Sequence, residues 1–230
     1  MRMGPDGGPE NRMMIFPASE AELIDTWHVA GLKGTGSGDI AVSNVFVPKG
    51  RSVALAIDTP VSGGALYKFP AFGLLSLGVC SVAMGNARGA LDALIDLAQN
   101  KRSQGSKKTL AERQIIQSDI AKLEAKWRSA RAYLMNEIDL TWSAAEAEGD
   151  IPVDRRSDLR LACTHMTRTA ADVCRKAYDI GGGSALFLNN ELQRRFRDAH
   201  AATQHIVTAP ATYELTGRII LGLPTNASMV

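Results

Sequence analysis

Apolar residues recur every three or four positions over most of the chain after residue 65, which is the spacing of one face of an α-helix. This pattern predicts three long helices over residues 72–101, 109–148 and 154–181. Two shorter helices are expected, one over 190–200 and a last one that follows Pro210 and ends at Gly222. Long helices with one apolar stripe each pack side by side, so we predict a mainly α-helical fold, an antiparallel up-down bundle.

Two local features of the second long helix refine this prediction. Thr109 and Glu112 have the spacing of a capping box, in which each side chain accepts a hydrogen bond from the backbone of the other residue, so the helix is expected to start at Thr109. Trp127 and Trp142 fall on its apolar stripe. We therefore expect both indole rings to lie in the core.

The first 64 residues have a different pattern, rich in Gly, Pro, Ser and β-branched side chains. Two short apolar runs, 13–16 and 40–47, predict strands on either side of a glycine-rich turn at 31–39. Two or three strands are too few for an independent sheet. The sequence therefore predicts two domains, a partial β-domain over 1–64 and a C-terminal helical bundle over 65–230.

Composition and charge argue against several classes of function. The chain has 26 basic and 24 acidic residues, and this balance gives no reason to expect binding to nucleic acid or to a membrane surface. Its apolar runs are short and interrupted, so no segment is expected to span a membrane. Cys80, Cys163 and Cys174 are widely spaced, which indicates buried free thiols rather than disulfides or a metal site. A cytoplasmic location is expected.

Three segments resemble a known family. The first is TWHVAGLKGTGSGDIAVSNVFVP at 26–48, the second is the glycine run at 181–183, and the third is RRFRDAHAATQH at 194–205. Together they resemble the acyl-CoA dehydrogenase superfamily, and more narrowly the flavin-dependent monooxygenases that share its fold. The resemblance spans roughly residues 12–222 and covers only the C-terminal part of a family member.

The resemblance implies a cofactor and partners. The cofactor is a flavin, FMN or FAD, whose reduced form comes from a separate reductase, and the substrate is an aromatic or related small molecule. The family also implies a homo-oligomer, most simply a tetramer. Cofactor contacts are implied for Gly181, Gly182, Gly183, Ser37 and Arg197. The residues themselves leave alternatives open: a helix C-cap for the glycines, turn chemistry for Ser37, and a solvated helix face for Arg197.

One departure from the dehydrogenases indicates the reaction. Dehydrogenases of this fold typically place a glutamate base shortly after the aspartate that aligns with Asp198, whereas here no carboxylate follows until Glu214. His205 occupies this loop instead, and the hydroxylases of the fold characteristically have a histidine there. We therefore predict that His205 is catalytic and acts on the reduced-flavin or oxygen step, since both its forms are accessible near pH 7. His200 is expected to be structural.

Two other functions stay open on the sequence alone. The first is an acyl-CoA dehydrogenase or oxidase whose base lies on another helix. The second is a non-catalytic helical fragment that serves oligomerisation, in which His205 would be an ordinary loop residue. Fold resemblance alone does not choose between these functions, and the histidine in place of glutamate favours the monooxygenase.

Overall fold

The computed structural model describes residues 12–55 and 58–230, and the described part is mostly helical. The helices are α1 (Ala65–Lys68), α2 (Ala71–Asn100), α3 (Gln114–Glu146), α4 (Val153–Gly181), α5 (Glu191–Ala202) and α6 (Ala211–Ile220). The strands are β1 (Met13–Met14), β2 (Ala21–Ile24), β3 (Asp39–Val42) and β4 (Ser52–Val53). The prediction of a mainly helical fold is confirmed.

Ion pairs show that α3 and α4 run antiparallel. Arg155, in the first turn of α4, pairs with Glu137 in the second half of α3. Lys176, near the end of α4, lies 3.2 Å from Asp119 near the start of α3. The order of the partners is therefore reversed along the two helices, as an up-down bundle requires.

Helix α4 is the centre of the bundle, and α2 runs parallel to it. Near the start of the two helices, a methyl group of Leu159 packs directly on Gly73. At the other end, Lys101 Nζ donates a 2.6 Å hydrogen bond to the Gly181 carbonyl. Helix α4 packs against α2, α3, α5 and α6, and about half of its residues are buried. The three long helices thus run up, down and up, with α4 between the other two.

The start of α3 differs from the prediction. The helix begins at Gln114, not at Thr109. The Glu112 carboxylate does accept a 2.6 Å hydrogen bond from the Thr109 backbone N–H, so half of the capping box forms, but it forms in a turn before the helix. The reason is a tertiary contact: the Leu110 N–H donates to the Lys101 carbonyl at 2.9 Å, which holds this turn against the end of α2.

The two tryptophans of α3 have different environments. Trp127 is half-buried against the core, and its Nε1 donates a 3.0 Å hydrogen bond to the Met84 carbonyl of α2. The prediction for Trp142 is wrong, because its side chain is 39% exposed. It lies at the edge of the bundle, where its ring is 6.3 Å from that of Phe69.

The strands form two small antiparallel pairs, β1 with β4 and β2 with β3. Strand β2 was not predicted, and it pairs along its whole length with β3, from Ala21 opposite Val42 to Ile24 opposite Asp39. The prediction of a strand over 40–47 is wrong beyond Val42. Asn44 adopts a φ of +53°, in the left-handed region, and turns the chain away from the ladder.

Helix α2 bears on the prediction about membranes. By length and composition alone it is able to cross a bilayer, so the expectation that no segment meets this requirement is wrong. In the described structure, apolar residues on one face of α2 pack against α4 in the core of the bundle. Core helices often pass the same test, and a single helix of this kind is weak evidence for a membrane span.

The cysteines are free and buried, which confirms the expectation for them. Burial raises the pKa of the Cys174 thiol to about 12. The pKa of the Cys163 thiol is raised by its hydrogen bond with Cys80 and by burial. Cys163 and Cys174 are therefore neutral core side chains near pH 7.

Candidate functional site

A cleft of about 810 Å³ opens where the loop after β2, the third turn of α2 and the end of α5 meet. This volume lies in the ordinary range for small-molecule sites, and the wall is mostly apolar. The polar side chains that line it come from the loop after β2 and from the end of α5 with the turn that follows: Thr35, Ser37, Arg197, His200, Gln204 and His205.

The glycine-rich loop is fixed to α5 by close backbone contact. The Leu32 N–H donates a 2.7 Å hydrogen bond to Asp198 Oδ1, and the Leu32 carbonyl accepts one of 3.1 Å from Trp27 Nε1. A Cβ on Gly31 would lie only 2.3 Å from the Arg197 carbonyl oxygen. The first and third segments of the family resemblance are thus two halves of one contact, and that contact forms a wall of the cleft.

A smaller basic pocket of about 370 Å³ adjoins the cleft and shares part of its wall. Lys33, Arg194 and Arg197 line it. Within the described part of the chain, Lys33 and Arg194 form no ion pair, and the one carboxylate in the wall, Asp198, is bonded to the Leu32 amide. An apolar cleft beside a cationic pocket suits a ligand with a flat apolar ring system and an anionic group.

Ser37, Arg197 and His205, all predicted as site residues, line the same cleft. Gly181, Gly182 and Gly183 are not among the described residues that line it. Gly182 ends α4 with a φ of +51°, which is the conformation that a helix C-cap glycine provides. Contact of these three glycines with a flavin stays a prediction.

Ser37 and Arg197 also have structural partners. The Ser37 hydroxyl donates to Thr35 Oγ1 at 3.1 Å, inside the glycine-rich turn. Arg197 donates to the Ala30 carbonyl at 3.0 Å and to Gln193 Oε1 at 2.5 Å. Arg197 therefore holds the loop to α5 and stands at the border between the cleft and the basic pocket.

His205 directly precedes a 3₁₀ turn, Ile206–Thr208, and its side chain is exposed. Its Nδ1 accepts a 3.3 Å hydrogen bond from the Val207 N–H. Because an amide N–H only donates, Nδ1 carries no proton in this arrangement, and the neutral ring carries its proton on Nε2. The nitrogen left for a ligand is therefore an N–H donor.

Arginines of α4 hold this loop from the core side. Arg160 is only 2% exposed, and it donates to the carbonyls of Val207, at 3.1 Å, and of Met229. Arg168 donates to the Thr203 carbonyl at 3.2 Å. Burial lowers the pKa of Arg160, and among the residues described here it has no carboxylate partner. Arg160 thus fixes the carbonyls of Val207 and Met229, whereas Arg168 fixes the loop on the other side of His205, at Thr203.

Sequence reasoning missed part of the cleft. Gly78, Val79 and Val82 of α2 line it, although they lie off the apolar stripe of that helix. His200 lines it as well, with its ring centroid 4.4 Å from that of Phe196. The apolar side chain of Val82, off the stripe and exposed, is the signal that could have indicated this part of the cleft.

Comparison with known proteins gives the family. The family model of the acyl-CoA dehydrogenase C-terminal domain matches residues 77–210, which is more than half of the chain. The matched range runs from α2 to the turn that carries His205.

The curated proteins to which the chain is similar include monooxygenases and hydroxylases. The chain is 34% identical to an indole-3-acetate monooxygenase of Pseudomonas putida, over 92% of the chain and 54% of that protein. It is 29% identical to the oxygenase component of an FADH2-dependent resorcinol hydroxylase of a Rhizobium species, over 94% of the chain and 57% of that protein.

A solved structure agrees with these relatives. The crystal structure of a 3-HSA hydroxylase from a Rhodococcus species matches with a TM-score of 0.87 and 26% identity, over 98% of the chain and 60% of that protein. The chain spans about half the length of the curated relatives it matches. The resemblance inferred from the three sequence segments is confirmed, and the chain belongs to the acyl-CoA dehydrogenase C-terminal domain family.

Proposed function

We propose that the protein to which this chain belongs is a flavin-dependent monooxygenase, which hydroxylates an aromatic or related substrate with reduced flavin and O2. One observation carries this proposal. No carboxylate lines the described wall of the cleft, whereas two histidines do. A dehydrogenase of this fold needs a base for the α-proton of its substrate, and a carboxylate is absent from the described residues around the cleft. The names of the relatives support the same reaction.

The residues present fit a flavin. The apolar cleft has room for the ring system, and the adjoining basic pocket has three cationic side chains for a phosphate, those of Lys33, Arg194 and Arg197. FMN and FAD both carry such a group. A reduced flavin bound there supplies the electrons and activates O2. The protein supplies the binding, the orientation of the substrate and the exclusion of water.

His205 is the proposed catalytic residue, because its Nε2–H is free to donate while Nδ1 is bonded to the Val207 amide. The hydrogen bond from the Val207 amide holds the imidazole ring in one orientation. The ring therefore needs little reorganisation to stabilise negative charge that develops on an oxygen atom beside Nε2. A flavin and a substrate that fill the cleft would displace water from its apolar wall, which includes Val79 and Val82, and this would strengthen the interaction.

We also propose that a separate reductase supplies the reduced flavin. The support is the name of the resorcinol hydroxylase, which describes an oxygenase component. In this arrangement the protein binds free reduced flavin rather than reducing a flavin by itself. Hydroxylation that depends on an added reductase and its nicotinamide donor is the expected result.

A homo-oligomer, most simply a tetramer, is proposed as well. Three consecutive large apolar side chains follow α4 and are exposed: Leu186 (68%), Phe187 (66%) and Leu188 (86%). Exposure of such a patch to water is unfavourable and is unusual in a monomer. Light scattering of the untagged protein at micromolar concentration should give a multiple of the protomer mass. A monomer mass would contradict this part of the proposal.

The experiment that tests the function compares the whole wild-type protein with its His205→Ala variant, each with a flavin reductase, a nicotinamide donor, O2 and a panel of phenols and indoles. We expect His205→Ala to reduce hydroxylation by roughly 10²-fold or more, the usual scale for one acid–base group. Flavin binding should persist and more hydrogen peroxide should be released. Unchanged product yield in the variant, or anaerobic bleaching of the oxidised flavin by an acyl-CoA without reductase, would contradict the proposal.

A further inference from the structure

The two histidines of the cleft use the same ring nitrogen in opposite ways. His200 Nδ1 lies 2.9 Å from the Phe196 carbonyl oxygen, one turn earlier in α5. A carbonyl oxygen only accepts, so His200 Nδ1 must carry a proton. His205 Nδ1 accepts from the Val207 N–H and carries none.

The nitrogens left for a ligand are therefore complementary. In the neutral rings, His200 has a lone pair on Nε2, whereas His205 has an N–H on Nε2. Both side chains line the same cleft, and no carboxylate lines its described wall. The cleft thus has one nitrogen base and one nitrogen donor.

We propose that His200 is a second catalytic residue, the base that takes the proton of a ring hydroxyl or ring N–H of the substrate. This inference rests on the proposed function and names its substrate class: aromatic compounds with an acidic O–H or N–H on the ring. The substrate O–H bond breaks, its electron pair stays on the oxygen, and the proton forms an N–H bond at His200 Nε2.

The charge that results on His200 is well placed. His200 lies in the last turn of α5, where the partial negative charge of the helix end stabilises a cation. Its Nδ1–H stays bonded to the Phe196 carbonyl, and the adjacent Phe196 ring stabilises the imidazolium further. That ring is itself held by Tyr178, whose centroid lies 4.9 Å away in a stacked arrangement.

Removal of the proton directs the reaction. The ionised oxygen raises the electron density at the ring carbons ortho and para to it. One atom of O2 would enter there and the other would leave as water, with the two electrons supplied by reduced flavin. The attacked carbon would lose its hydrogen as a proton, and the entering oxygen would take up a proton to become the new hydroxyl. The substrate oxygen takes its own proton back from Nε2 of His200. His200 is neutral again at the end of the cycle, and His205 serves as the donor throughout.

The first test needs no flavin and no activity. Ring ¹⁵N NMR spectra of the untagged chain, assigned with the His200→Asn and His205→Gln variants, should show His200 protonated on Nδ1 and His205 protonated on Nε2 at neutral pH. The same tautomer at both positions would overturn the inference.

The second test uses the whole protein, a phenol and its methyl ether. His200→Asn keeps an N–H donor at the position of Nδ1 and removes the base at Nε2, so the fold is retained. We expect kcat/KM for the phenol to fall by roughly 10²-fold, with little change for the methyl ether. His28→Asn, an exposed histidine outside the cleft, should change neither value. Equal loss for both compounds would mean a structural role and would overturn the inference.

Failure of the proposed function gives a different result. If the wild-type protein hydroxylates no compound, the proposed monooxygenase function is wrong. The ionisation state of bound 4-nitrophenol then shows whether His200 acts as a base. Ionisation of the bound phenol by the wild-type protein, seen as the absorbance of the phenolate, and its loss in His200→Asn would support the base. Equal ionisation in both proteins, or none in either, would exclude it.

Discussion

The Asp198 carboxylate accepts a 2.7 Å hydrogen bond from the backbone N–H of Leu32, 166 positions earlier in the chain. Leu32 has a φ of +54°, and this conformation turns its N–H towards α5 while its carbonyl accepts the Trp27 indole N–H. The glycine-rich loop and the end of α5 are joined at this point. The cleft therefore depends on a contact between two segments that are remote in sequence.

Gly31→Ala should separate the loop from α5. The new Cβ would lie 2.3 to 2.9 Å from three backbone atoms of Arg197 and Asp198, which are not free to move as a side-chain end is. We expect the Leu32 amide to exchange its hydrogen at least about tenfold faster, since its bond to Asp198 opens. Gly34→Ala is the matched control, because a Cβ there meets nothing within 4 Å. Equal exchange in both variants would contradict the prediction.

Much of the bundle was predictable from sequence. The apolar stripes placed α2 and α4 within one residue of their observed bounds, because one face of each helix is buried along its whole length. The start of α3 was not predictable in the same way. The turn at 109–113 pairs with the end of α2 through the Leu110–Lys101 hydrogen bond, and local capping signals contain no information about such a contact.

Only those site residues that lie in family-like sequence motifs were predicted from the sequence. Ser37, Arg197 and His205 fall in segments that resemble the family, and the structure brings all three to one cleft. Val82 belongs to the same cleft for a different reason: the packing of α2 against α5 places it there. A periodic pattern identifies the buried face of a helix, but it does not show which exposed residues of two helices face each other.

The pH dependence of stability should include a contribution from Glu124. Arg88 donates to its carboxylate at 2.7 Å, and this hydrogen bond is the main cause that lowers the pKa of Glu124 below its ordinary value of 4.5. A carboxyl with a lowered native-state pKa stabilises the fold above its unfolded-state pKa, and this stabilisation is lost as the pH falls through the native value.

Glu124→Gln should therefore lower the free energy of unfolding by about 1 kcal/mol at pH 7, and by progressively less below pH 4.5. Urea unfolding at pH 7 and at pH 3 measures both values. Glu146→Gln, at the exposed end of α3, is the control and should change neither. A difference between wild type and Glu124→Gln that is the same at both pH values would contradict the assignment.

The three thiols should be unreactive in the folded protein. Cys80, Cys163 and Cys174 are buried, and with the pKa of Cys174 raised to about 12 only about one in ten thousand of its thiols is ionised at pH 8. A disulfide reagent should label no thiol rapidly at pH 8, and labelling should follow the rate of unfolding when urea is added. Rapid labelling of one equivalent in native buffer would show that a cysteine is accessible.

Arg160 should be required for the stability of the loop that carries His205. Its guanidinium donates to the Val207 carbonyl and the Met229 carbonyl, and the side chain is 2% exposed. Without it, the Val207 carbonyl, which is buried, and the Met229 carbonyl lose a charged donor, and the loss at a buried carbonyl costs about 1–3 kcal/mol. Removal of a buried charge that has no counter-ion offsets part of this cost. The loss of the hydrogen bonds is the larger effect. The Arg160 guanidinium contacts carbonyl and hydroxyl oxygens, and the Val207 carbonyl would keep only a long hydrogen bond of 3.4 Å from the Ser76 hydroxyl.

We therefore expect Arg160→Met to lower the free energy of unfolding by about 2 kcal/mol. Arg160→Lys should also destabilise the protein, because a single ammonium group does not span two carbonyls as a planar guanidinium does. The control is Arg175→Met, whose exposed pair with Asp179 should contribute less than about 0.5 kcal/mol. Urea unfolding gives the three free energies, and hydrogen exchange of the Val207 amide shows whether the His205 loop opens first. If Arg160→Met is as stable as the wild type and its Val207 amide is equally protected, the loop is held by its own turn and by Ser76 rather than by α4.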